Sequence, residues 1–67
     1  MTRKISTGLK LAIKAAGTEA DLARKLNITA QAVNKWNEVP LDRVLQVEKA
    51  TGVPREKLAP QMYERAN

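Results

Sequence analysis

Gln31, Asn34 and Lys35 stand at i, i+3 and i+4, the spacing that brings side chains onto one face of a helix. Each carboxamide offers a donor and an acceptor side by side, and the ammonium adds three donors. Such a face is suited to pairing with a planar edge that carries its own donors and acceptors. Proton transfer and metal binding have little to work with, because the 67 residues hold no histidine and no cysteine. Glu19, Asp21, Glu48 and Glu56 sit among cations on helical segments, and no glycine-rich phosphate loop is present. Neither enzymatic activity, nor a cofactor, nor a metal site, nor a small-molecule ligand is expected.

The elements that must hold this face are legible from apolar spacing. Leu9, Ala12, Ile13 and Ala16 form one stripe of a first helix, capped by Ser6 or Thr7 and ended by Gly17. Thr18 reads as the cap of a second helix, with Glu19 and Asp21 in its first turn and Leu22, Ala23 and Leu26 as its buried stripe. Asn27 tolerates the positive φ of a sharp reversal, and Thr29 caps a third helix from about Ala30 to Trp36. There Val33 and Trp36 point inward, while Gln31, Asn34 and Lys35 point outward. Pro40 opens a fourth helix with Leu41, Val44, Leu45 and Val47 as its apolar face, and Gly52 ends it. A short turn follows from Pro54 through Leu58. No strand alternation is found, so the expected fold is all-α: one compact domain of four to five short helices. Residues 1–6 are expected as a flexible basic arm, 7–59 as the domain, and 60–67 as a C-terminal tail.

Twelve Lys and Arg against seven Asp and Glu give a net charge of +5, a balance that suits a polyanionic partner. Arg3, Lys4, Lys10 and Lys14 precede Thr18 without a single acid, so the basic end is the N-terminal third. Apolar runs are too short to span a membrane, and Met1 to Gly17 lacks the apolar segment of a signal peptide. A cytoplasmic location is expected.

Two helices joined by a three-residue turn make a helix-turn-helix. The core "LARKLNITAQAVNKW", followed by Val-Pro-Leu and the fourth helix, resembles the Cro repressors of temperate phages and the related small Cro-like regulators. The resemblance covers roughly residues 8 to 59. It departs from the family pattern at the turn, where Asn27 stands in place of the usual glycine. It implies a lambda-repressor-like fold and a transcriptional regulator, with the third helix (about 29–36) reading DNA in the major groove. On this resemblance the base contacts fall to Thr29, Ala30, Gln31, Asn34 and Lys35. The chemistry agrees: Gln31 and Asn34 can each pair with adenine N6 and N7, Ala30 or Ala32 can meet a thymine methyl, and Lys35 can reach guanine or a phosphate.

Phosphate contacts are expected from Thr18 at the start of the second helix, from Arg24 and Lys25, from Arg43, and from Lys10 and Lys14 on the first helix. One helix-turn-helix reads too few base pairs to select a site. A weak homodimer on an inverted-repeat operator is therefore expected, as the resemblance also implies, with simple steric repression as its action. Its contact is expected after the third helix, in the Trp36 to Leu41 connection with Trp36 and Val39, and in the tail around Met62 and Tyr63. The competing class is a protein-interaction module on the same fold, an antitoxin or adaptor. A cationic helix on a membrane surface is disfavoured, since the first helix lacks aromatic anchors and its stripe is needed for the core.

Overall fold

In the computed structural model, residues 4–60 are described, and they fold into short helices linked by tight turns. The order is α1 (Thr7–Ala16), α2 (Glu19–Leu26), α3 (Ala30–Asn34), a 3₁₀ turn (Leu41–Arg43), α4 (Val44–Thr51) and α5 (Arg55–Leu58). Among the described residues there is no strand, and the architecture is a single all-α domain.

Three side-chain caps start the first three helices. The Ser6 Oγ accepts from the Leu9 N–H at 3.1 Å, the Thr18 Oγ1 from Asp21 at 3.0 Å, and the Thr29 Oγ1 from Ala32 at 3.2 Å. Each removes one of the unsatisfied donors of a helix start, a contribution of about 1 kcal/mol. The α2–α3 reversal is made by Asn27 at φ 60°, ψ 42°. The Ile28 N–H then donates to the Ala23 carbonyl at 2.9 Å, closing the end of α2 across the turn. Asparagine adopts this left-handed conformation at lower cost than most side chains, so a glycine is not required here.

α2 lies at the centre and packs on α1, α3 and α4. Leu22, Ala23 and Leu26 of α2 form one buried cluster with Leu9 and Ala12 of α1, Val33 of α3, Val39, Val44 and Val47, and Leu58 and Ala59. Ile5, Ile13, Ala16, Ile28, Trp36, Ala50 and Val53 pack around this cluster, half-buried. Val33 is the one fully buried side chain of α3. Val33→Ala is expected to cost about 1–3 kcal/mol, measured by thermal unfolding, because the vacated space lies between α2 and α3.

Four expectations need correction. α3 ends at Asn34, not Trp36, because the Lys35 and Trp36 N–H groups bond to carbonyls three residues back, at 3.3 and 3.0 Å, which tightens the chain out of α geometry. The face of the fourth helix is divided. Val44 and Val47 are buried, whereas Leu41 and Leu45 are 53% and 55% exposed. The arm does not extend to residue 6: Ile5 packs on the core, and the Ser6 N–H donates to the Asn37 carbonyl at 2.7 Å. Finally, Val39 is only 1% exposed and belongs to the core, so its side chain has no surface to give a second chain.

A contact that sequence spacing did not reveal joins the two ends of the fold. Gly8 is buried where α1 crosses α5, and a Cβ placed on it would lie 2.1 Å from the Leu58 carbonyl oxygen.

Candidate nucleic-acid interface

α3 is five residues long and depends on α2 for its place. Val33 faces inward and Ala32 is half-buried, while Thr29, Ala30, Gln31, Asn34 and Lys35 are all exposed. The short helix therefore exposes amides, a hydroxyl and a cation on one side of the packed α2–α3 pair. Gln31 is exposed, and its side chain makes no hydrogen bond among the described residues.

Asn34 differs. With its amide nitrogen turned toward α2, it donates to the Ala30 carbonyl at 3.2 Å and to the Glu19 carboxylate. Both amide hydrogens are then used inside the protein, and bidentate pairing with an adenine would require Asn34 to release Glu19. In this conformation Asn34 braces the end of α3 against the start of α2. Its pairing with Glu19 was invisible in the sequence, since the two residues meet only when α3 folds back.

The expected phosphate-contacting residues divide into three groups. Thr18 and Arg24 converge on Asp21, whose carboxylate accepts from the Arg24 guanidinium at 2.6 Å. That guanidinium, together with the Thr18 hydroxyl, holds the Asp21 carboxyl below its ordinary pKa. Since the folded pKa is depressed, this support exists at neutral pH and is lost as pH falls through the lowered value, below about 4. Wild-type and Asp21→Asn proteins are accordingly expected to have different melting temperatures at pH 7 that converge near pH 2. Glu19 and Asp21 also put negative charge at the start of α2, where an incoming phosphate would meet repulsion.

Arg43 is held differently. Its Nη1 donates to the Gln46 Oε1 at 2.9 Å, and the Gln46 Nε2 donates to the Leu26 carbonyl at 3.0 Å, at the last turn of α2. This relay holds the Arg43 guanidinium beside the end of α2. The role of Gln46 is not legible in the sequence, since an amide on a polar face carries no local signal that it will bond a backbone carbonyl 20 residues away. Lys25 is exposed near the same turn, and Lys10 and Lys14 are exposed on α1, which packs on α2, α4 and α5. Trp36 is half-buried against the core. Met62 and Tyr63 lie outside the described residues. No described helix is long and apolar enough to cross a membrane.

Comparison with known proteins places this arrangement in a lineage. A curated relative, the Gene 30 protein of Enterobacteria phage phi80, is 36% identical over 63 residues, covering 87% of this chain and 86% of its own. No solved structure matches the chain. The family described as "Bacterial toxin YdaS" matches residues 9–67, which takes in the core of α1, the whole α2–α3 unit and α4. The chain belongs to the YdaS family.

Proposed function

We propose that this protein is a sequence-specific double-stranded DNA-binding regulator of phage type, acting as a Cro-like repressor on an inverted-repeat operator. The observation that carries this is the division of α3, with Val33 wholly buried and Thr29, Ala30, Gln31 and Lys35 exposed as a polar surface. A major groove admits one α-helix and displays donor and acceptor pairs, which this face complements. The net charge of +5 and the Arg43 guanidinium fixed beside the turn supply the backbone attraction. A relative carried by a phage is in keeping with this role.

Gln31 is the principal base reader, supported by Thr29, Ala30 and Lys35, and Asn34 reads only where it exchanges Glu19 for a base. Arg43, Lys25, Lys10 and Lys14 bind backbone, where they add affinity without selectivity. Two chains on one operator would set their third helices about 34 Å apart, giving half-site centres about 10 base pairs apart.

Selection of duplexes from a random pool, followed by binding measurements on the recovered site, tests this proposal. An inverted repeat is expected. Gln31→Ala is expected to cost about 1–3 kcal/mol on that site and to relax preference at one position per half-site. Arg43→Ala is expected to weaken all sequences alike. Recovery of no preferred sequence would remove the proposal, and equal losses on all duplexes for Gln31→Ala would move that residue to the backbone.

The word "toxin" in the family's description favours one alternative, a chain whose main partner is a host protein. Undetectable duplex binding at low salt would favour it.

A further inference from the structure

Leu41 and Leu45 are the two large apolar side chains left in solvent among the described residues, 53% and 55% exposed. Spaced by four, they lie on one stripe of the 3₁₀ turn and α4, and Lys49 continues it by another four. Asp42, seven residues before Lys49, shares that face. The surface therefore runs from an exposed carboxylate, across two leucines, to an exposed ammonium. Asp42 and Lys49 lie about 10 Å apart along the helix, with Leu45 near their midpoint. Glu48 is not part of this pattern, being paired with Arg55 across the start of α5.

We propose that this face is where two copies of the chain meet, with α4 lying antiparallel to α4 of the second copy. The charge order selects the occupant and its direction. A two-fold axis through Leu45 sets Leu45 against its own copy, Leu41 against the stem of Lys49, and Asp42 against the ammonium of Lys49, twice by symmetry. A parallel arrangement would bring carboxylate to carboxylate and ammonium to ammonium, which is repulsive. Each copy covers the other's leucines, which otherwise remain exposed. Two leucines per chain are far short of the roughly 800 Å² that each partner contributes to a stable complex, so the dimer is weak and forms fully only at high concentration or on a shared ligand. This deepens the two-fold reading of the operator, but it concerns a protein–protein contact that exists without DNA.

The test is sedimentation equilibrium of the full chain without DNA, from about 5 to 500 µM, a range chosen for an interface of this size. The wild type is expected to shift from monomer to dimer across that range. Leu45→Glu, at an exposed position that leaves the fold intact by circular dichroism, is expected to remain monomeric. Asp42→Lys and Lys49→Asp should each weaken association about three- to tenfold, and the double exchange should restore it, because the charge order is then reversed on both copies. A wild type that stays monomeric throughout overturns the proposal and leaves the leucines for a different protein. Association that ignores Leu45→Glu overturns it as well, and loss without recovery in the double exchange overturns the antiparallel arrangement. None of these outcomes depends on duplex binding, so failure of the DNA reading and failure of this contact are told apart.

Discussion

Gly8→Ala is expected to lower the melting temperature by about 10 °C or more and to unfold a large fraction of the protein at 37 °C. Two effects oppose each other at this position. Alanine is the better helix former by about 1 kcal/mol, which on an exposed helix would stabilise α1. Here the added Cβ would sit 2.1 Å from the Leu58 carbonyl oxygen and 2.8 Å from its Cα, so backbone has to move. A flexible side chain could swing aside; the α5 backbone cannot do so without lifting Leu58 and Ala59 from the core they help to close. Overpacking of this kind costs about 1–3 kcal/mol and at times more, which outweighs the propensity gain in a domain whose whole stability is a few kcal/mol. Thermal unfolding followed by circular dichroism decides the matter. A melting temperature that is unchanged or raised would mean that α1 and α5 do not approach this closely.

Affinity for the selected duplex is expected to fall about 10³- to 10⁵-fold between 50 and 200 mM salt. A dimer that neutralises roughly six to ten phosphates releases their counterions, giving a log–log slope of about −5 to −9. The cations for this are exposed: Lys10, Lys14, Lys25 and Lys35, with Arg43 held in place by Gln46. Arg24 contributes less while it is engaged by Asp21, and its ion pair is exposed enough to exchange for a phosphate. Titration of fluorescent duplex at several salt concentrations gives the slope directly. A slope near zero would be incompatible with a contact made through these cations. Arg43→Ala removes one phosphate contact from each chain of the dimer and should reduce the magnitude of the slope by about two, which separates it from Gln31→Ala without reference to sequence.

The pairing of Asn34 with Glu19 bears on how α3 is held in place. Five residues are too few for α3 to hold its angle alone, since isolated helices of this length do not persist in water. Val33 anchors its inner side, and the Asn34 amide ties its far end to the first turn of α2. The arrangement leaves Gln31, near the start of α3, as the amide whose donors and acceptor are all available to a partner.

The sequence by itself determined the local events. Ser6, Thr18 and Thr29 cap helices because a hydroxyl can reach an N–H three residues ahead, and Asn27 turns the chain because its own side chain tolerates positive φ. The stripes of α1 and α2, the end of α4 at Gly52 and the exposure of the α3 polar face follow from helical periodicity in the same way. What only the tertiary structure decided are contacts between residues far apart in the chain. Gly8 meets the Leu58 carbonyl, Asn34 meets Glu19, Gln46 meets the Leu26 carbonyl, and Ser6 meets Asn37. Leu41 and Leu45 have the spacing of a core stripe, yet the packing turns Val44 and Val47 inward and leaves the leucines in solvent. Periodicity establishes that an apolar stripe exists, but which edge of it is buried depends on where the neighbouring helices lie. That is fixed by the close approach of whole elements, and no window of local sequence contains it.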